Sequence, residues 1–115
     1  MERVLVAGAT GYLGRYVVKA LKQKGYYVKV LVRSQDKLNQ EGAFSSPSIY
    51  DYVDDIVIGD VTRSQSIKDV CTDVDFVFSS VGITKQKDNL TFMDVDFKGN
   101  LNLLREAERS KVRRF

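Results

Sequence analysis

Short apolar runs alternate along the chain with stretches in which apolar residues recur three or four positions apart. Val4 to Ala7 is one run; Leu13, Val17, Ala20 and Leu21 then follow at helical spacing, and Val28, Val30, Leu31 and Val32 make the next run. The pattern predicts a strand, a helix and a strand, a βαβ unit. Gly25 stands just past Lys22 and Lys24, as a glycine that ends a helix behind cations should, so the helix ends near Lys24 and the second strand starts near Tyr27. Ser34 to Ser48 is polar and holds Gly42 and the only proline, Pro47. It reads as a long connection with a helical turn near Lys37, followed by a short helix at Ile49 to Val53. Ile56-Val57-Ile58 is a third strand ending at Gly59-Asp60, Ser66 to Cys71 a short helix, and Phe76-Val77-Phe78 a fourth strand ending in Ser79-Ser80-Val81-Gly82. From Asn89 to Ser110, Met93, Phe97, Leu101 and Leu104 form one stripe with Val95, Leu103 and Ala107 nearby, while Arg105, Glu106, Glu108 and Arg109 lie elsewhere. That is a long amphipathic helix. Val112 and Phe115 resemble the approach to a fifth strand.

Four strands joined in this way predict an α/β, doubly wound parallel sheet of Rossmann type. Right-handed winding gives the strand order 3-2-1-4, with the fold cut before or at strand 5 and residues 1–115 forming one domain. Ligands in such sheets sit at the carboxyl ends of strands 1 and 4, where the winding reverses. A hydrophobic share of 43% and a charged share of 29% over 115 residues fit a globular domain with a real core, short of a complete dinucleotide-binding enzyme with its substrate region. No apolar run reaches bilayer length, and Met1-Glu2-Arg3 leads into a short strand, not a signal-peptide core; a cytoplasmic protein without membrane contact is expected.

Charge and special residues remove several chemistries. Histidine is absent, so this segment cannot build a Ser-His-Asp triad, a Cys-His dyad or a histidine-ligated metal site. The single cysteine, Cys71, cannot form an intramolecular disulfide and sits among Ile67, Val70 and Val74 as a small core residue would. The net charge is +3, from 18 basic and 15 acidic residues, with the basic ones scattered except for Lys111, Arg113 and Arg114. No nucleic-acid patch is expected. The acidic pairs Asp54-Asp55, Asp73/Asp75 and Asp94/Asp96 read as turn or exposed helix positions, and Asn89-Leu90-Thr91 would matter only in a secreted protein. Neither a catalytic residue nor a metal ligand is assigned.

What remains is the turn between the first strand and helix, Gly8-Ala9-Thr10-Gly11-Tyr12-Leu13-Gly14. Glycines without Cβ let bare N–H groups and the positive end of a helix approach a diphosphate. The spacing is three and three, unlike the two-then-three spacing of the standard fingerprint. By analogy, Gly8 makes the tight turn, Gly11 admits the pyrophosphate and Gly14 lets helix pack on strand. At the end of strand 2, where an acidic residue is expected about 20 positions on to hold a ribose 2′-hydroxyl, Val32 is followed by Arg33. A guanidinium matches a 2′-phosphate, with Ser34 and Lys37 as further donors, which favours NADP; Asp36 close by leaves NAD open. Asp60 after strand 3 and Ser79, Ser80, Val81 and Gly82 after strand 4 fall where adenine and the nicotinamide-side ribose would lie. Asp60 serves equally well as a turn residue.

These segments, together with Gly59-Asp60-Val61 and Val95-Asp96-Phe97-Lys98-Gly99-Asn100, resemble the short-chain dehydrogenase/reductase superfamily, in its extended and atypical branches: sugar-nucleotide epimerases and dehydratases, isoflavone-reductase-like enzymes and NmrA-like redox-sensing regulators. The resemblance implies that the backbone of Thr10 to Leu13 holds the diphosphate, Arg33 the adenosine phosphate, Asp60 and Val61 the adenine, and Ser79 to Val81 the ribose. It implies a small-molecule substrate, unidentified here, for an enzyme, or a redox-sensing role for a regulator. Many members carry Asn where Asp96 stands. Their Tyr-x-x-x-Lys pair is missing too: Tyr12, Tyr16, Tyr26, Tyr27, Tyr50 and Tyr52 all lack a lysine four positions on. The expected reading is therefore the N-terminal cofactor-binding part of a larger reductase-like protein, inactive alone, with self-association through the uncovered sheet edge and last helix.

Overall fold

A computed structural model of the chain describes residues 1–81 and 98–115. Strands β1 (Arg3–Ala7), β2 (Tyr27–Val32), β3 (Asp55–Ile58) and β4 (Phe76–Ser79) form one parallel sheet in the order β3-β2-β1-β4, as the winding rule requires. β1 lies centrally, paired from Arg3 with Tyr27 to Ala7 with Leu31 on one side and from Val4 with Phe76 to Ala7 with Ser79 on the other. β2 continues to β3 from Lys29 with Asp55 to Val32 with Ile58.

Both faces of the central strands are covered, which is why they read as continuous apolar runs. Val4, Val6, Val28, Val30 and Val32 pack with Val18 of helix α1 (Tyr12–Gln23) and with Leu38 and Ile49 of the β2–β3 connection. Leu5, Ala7, Leu31 and Val77 pack with Ile67, Val70, Cys71 and Val74, and with Leu103 and Ala107 of helix α2 (Asn100–Arg109). Alternate residues of one strand thus serve opposite cores. Burial pushes the Cys71 thiol up to about 11, aided by nearby Glu106, so it stays protonated as an inert core residue.

Helix α1 ends as its sequence predicts. Gly25 has φ +93°, its N–H donates to Lys22 O at 3.0 Å, and Tyr26 N–H donates to Leu21 O at 3.1 Å, a Schellman motif. The connection beyond β2 turns at residues 36–39 and again, as a 3-10 turn, at Tyr50–Tyr52. A further 3-10 turn, which the apolar pattern does not predict, lies at Ala43–Ser45, with Phe44 and Ser45 at φ 55° and 58°.

The expected helix at Ser66 to Cys71 is corrected. A 3-10 turn spans Ser64–Ile67 and hydrogen-bonded turns continue to Val74, because Asp69 and Asp73 adopt left-handed φ of 64° and 61° that no α-helix contains. At the far end, Arg114 bridges to Phe76 in parallel, with Val77 N–H donating to Arg114 O and Arg113 N–H to Asp75 O, both at 2.9 Å. Residues 113–114 thus run along β4 in the place of a fifth strand. Gly82, Asp96 and the first part of the expected last helix, residues 89–97, lie outside the described residues. Among the described residues no helix is long and apolar enough to cross a membrane.

Candidate functional site

Parallel strands put all their carboxyl ends on one edge of the sheet, and the glycine turn leaves β1 there. Gly8 turns the chain at φ +76°, and Gly11 N–H closes the turn on Gly8 O at 3.1 Å. A Cβ on Gly8 would lie 2.7 Å from Ser80 Oγ; one on Gly14 would lie 2.1 Å from Gly8 O and 2.9 Å from Ala9 Cα. The fold itself therefore needs glycine at both positions. Gly11 differs: its φ is −77°, and a Cβ there would meet only Gly8 O at 3.4 Å. Among the described residues no contact calls for glycine at this position, and its lack of a side chain leaves backbone alone on the outer side of the turn.

Helix α1 starts on Gly11 with no side-chain cap and no acidic residue in its first turn. Among the described residues the N–H groups of Tyr12 and Leu13 thus have no side-chain acceptor at the positive end of the helix, a seat suited to an anion. Both side chains are exposed. The Thr10 carbonyl accepts from Arg15 Nε at 2.8 Å.

Arg15 is 2% exposed. Its guanidinium also donates to Lys37 O at 2.9 Å, to Pro47 O at 3.1 Å and to Gln40 O. Desolvation lowers its pKa from the ordinary arginine value. It has carbonyl partners and, among the described residues, no carboxylate, so it fastens the β2–β3 connection to the glycine turn through backbone alone.

At the end of β4, Ser80 N–H donates to Ala7 O at 3.1 Å and its hydroxyl to Gly8 O at 3.2 Å, which sets Ser79, Ser80 and Val81 beside the glycine turn. Ser79 Oγ donates to Asn100 Oδ1 and accepts from Val81 N–H at 3.3 Å, while Asn100 Nδ2 donates to Val81 O at 3.3 Å. The start of α2 thereby fixes the end of β4. Asn102 holds the turn that follows β3, its Nδ2 donating to Val61 O at 2.8 Å.

At the ends of β2 and β3 lies an open groove of about 440 Å³ lined by Arg33, Ile58, Gly59, Asp60, Arg63 and Ser66. Asp60 makes the turn its residue type favours: Oδ1 accepts from Thr62 N–H at 2.9 Å and from Thr62 Oγ1 at 2.7 Å. Burial pushes its carboxyl up, but the Thr62 bonds and the nearby Arg33 and Arg63 charges outweigh that and hold it below its usual range. Ser34 and Lys37 are exposed beyond Arg33; the Ser34 hydroxyl accepts from Asp36 N–H at 3.2 Å.

The structure therefore gathers Gly8, Thr10, Gly11, Tyr12, Leu13 and Gly14 with Ser79, Ser80 and Val81, and sets Arg33 beside Asp60 on a groove further along the same edge. Sequence reasoning missed Arg15, Arg63 and Asn102, and quoted Asn100 in the last motif without giving it a role at the site. Arg15 carries a signal, an arginine three positions before Val18 on the buried stripe, and so do the asparagines, poor helix formers at the start of a helix. Arg63 carries none beyond its distance of three from Asp60.

The sequence profile of the NAD dependent epimerase/dehydratase family matches residues 4–115. Photosystem II assembly factor Ycf39 of Synechocystis sp. is 32% identical over 116 residues, covering 98% of this chain and 32% of its own. Phenylcoumaran benzylic ether reductase IRL1 of Ginkgo biloba is 35% identical over 92 residues, 80% of this chain and 30% of its own. A uronate dehydrogenase variant from Agrobacterium tumefaciens, solved in complex with NAD, shares the fold with a TM-score of 0.70 at 22% identity, over 96% of this chain and 38% of that one. The chain spans about a third of the length of the curated relatives it matches.

Proposed function

This chain belongs to the NAD dependent epimerase/dehydratase family and is an NAD(P)-binding domain of the short-chain dehydrogenase/reductase type; on that premise we propose that it takes NADP(H) in preference to NAD(H) and serves as the cofactor-binding part of a reductase. The observation that carries the binding edge is Gly11, a glycine that no contact among the described residues explains, at the mouth of a helix whose N-cap makes no side-chain hydrogen bond. The backbone of Thr10 to Leu13 would hold the diphosphate, Ser79 to Val81 the nicotinamide-side ribose, and Asp60 and Val61 the adenine. Asp60 Oδ2 has no hydrogen bond among the described residues, which supports a role as acceptor for an adenine amine. Arg33, exposed on the groove with Ser34 and Lys37 beyond it, supports the preference for a 2′-phosphate. The nicotinamide supplies the hydride chemistry; the chain binds and orients it.

Fluorescence titration with NADPH and NADH tests this. Saturable binding of both, tighter for NADPH, is expected; equal affinities would overturn the NADP preference, and no saturation with either would overturn the site assignments. A second reading, an assembly subunit that keeps the dinucleotide without turnover, draws on the likeness to a photosystem II assembly factor. We also extend the reading to a cytoplasmic protein, supported by a single buried thiol, and to self-association. The latter is supported by an apolar groove of about 260 Å³ lined by Val4, Val17, Leu21, Tyr26, Phe76 and Phe78.

A further inference from the structure

We infer that Arg63 is a second specificity-determining residue, completing with Arg33 a two-guanidinium seat for a phosphomonoester on the adenosine ribose of the cofactor. The inference rests on the NADP reading above and goes beyond it by assigning a residue from a different loop.

β2 and β3 end in register, Val32 opposite Ile58, and Gly59 N–H donates to Val32 O at 2.9 Å. The residues that follow, Arg33 from β2 and Asp60 to Arg63 from β3, therefore leave the sheet side by side. Arg33 and Arg63 line the same open groove, with the close-packed Gly59 beneath, where a Cβ would lie 2.8 Å from Ser66 O.

Arg63 is carried by a turn bonded to itself from both ends. Its N–H donates to Asp60 O at 2.9 Å, and its carbonyl accepts from Ser66 N–H at 2.9 Å and Ser66 Oγ at 2.8 Å. Ser66 Oγ accepts in turn from Asp60 N–H at 2.9 Å. The backbone that presents the guanidinium is thus fixed before any ligand arrives, which lowers the ordering cost of binding.

The charges of this corner are unbalanced. Asp60 is the acidic lining residue, and its Oδ1 is already committed to Thr62. Among the described residues neither Arg33 nor Arg63 forms a side-chain hydrogen bond or ion pair, in contrast to Arg109 and Arg113, each held by carboxylates. Two guanidinium forks against one carboxylate leave a net positive groove, and a phosphomonoester dianion offers enough oxygens to engage both forks. An unphosphorylated ribose would leave them in water.

Binding of 2′,5′-ADP and 5′-AMP by calorimetry separates the contributions, because the two probes differ only in the 2′-phosphate. Wild type is expected to prefer 2′,5′-ADP. Arg63→Gln and Arg33→Gln should each weaken it about tenfold while leaving 5′-AMP unchanged, since a charge-assisted hydrogen bond contributes about that factor. Arg63→Lys should fall between, keeping the charge but not the fork. If Arg33→Gln weakens 2′,5′-ADP and Arg63→Gln does not, the role of Arg63 is overturned while the NADP reading stands. If Arg63→Gln weakens both probes equally, its role is likewise overturned. A wild type that binds both probes alike removes the NADP reading and this inference together.

Discussion

Three glycines share one turn, yet their physics differs enough to be separated by substitution. At Gly14 a methyl group would fall on backbone atoms, 2.1 Å from Gly8 O and 2.9 Å from Ala9 Cα, which cannot move without shifting strand and helix apart. Gly14→Ala should cost about 3 kcal/mol in urea unfolding, as overpacked cores do. At Gly11 the methyl group meets, among the described residues, one atom, Gly8 O at 3.4 Å. Gly11→Ala should cost about 1 kcal/mol or less, the price of a poorer cap, while NADPH binding falls about tenfold or more because the diphosphate loses its approach. A Gly11→Ala variant that binds NADPH like wild type would assign that glycine to the fold. The spacing of the glycines is local and therefore legible in the sequence. Arg15 and Arg63 act through partners on other segments: the carbonyls of Lys37, Gln40 and Pro47, or a groove shared with Arg33. The spacing of Arg15 before Val18 marks it as buried, but no local pattern records those partners.

Among the elements, the ends of α1 and the starts of β2 and β4 followed from caps and apolar runs, whereas the β3–β4 connection did not, because its backbone is decided by Asp69 and Asp73 in left-handed conformations. The apolar spacing still served its purpose: Ile67, Val70 and Val74 are buried whether the turns are α or not. The joint between α1 and β2 depends on Asp54, whose carboxylate accepts from Lys22 Nζ at 2.7 Å and from Val28 N–H at 2.8 Å. Burial pushes this carboxyl up, but the Lys22 and Val28 bonds outweigh it and its pKa falls below the ordinary 3.8. A carboxyl lowered by folding adds stability that is fully present above its unfolded value and is lost as pH falls through the folded one. Asp54→Asn should therefore lower the thermal midpoint at pH 7, and the difference from wild type should shrink as the pH is taken below about 4. A difference that does not change with pH would remove the charge from the account.

For the whole molecule, strand order was legible because right-handed crossovers leave few alternatives once four strands and their connections are counted. The coverage of the last helix was not: Leu103 and Ala107 are buried against the sheet, while Leu104 stays partly exposed. Among the described residues an open apolar groove also lies between α1 and β4. If it drives self-association, sedimentation velocity should show a weight-average coefficient that rises with concentration, and Val17→Lys should hold the chain monomeric with an unchanged far-UV spectrum. A coefficient independent of concentration would end that proposal. The fastenings named above are of two kinds. The Lys22–Asp54 and Arg113–Glu2 pairs are ionic and face solvent, so salt and acid weaken them. Arg15 is buried among carbonyls that neither titrate nor attract counterions. Under rising ionic strength or mild acid, the periphery should therefore loosen first, and the loop behind the glycine turn should stay seated until the sheet itself gives way.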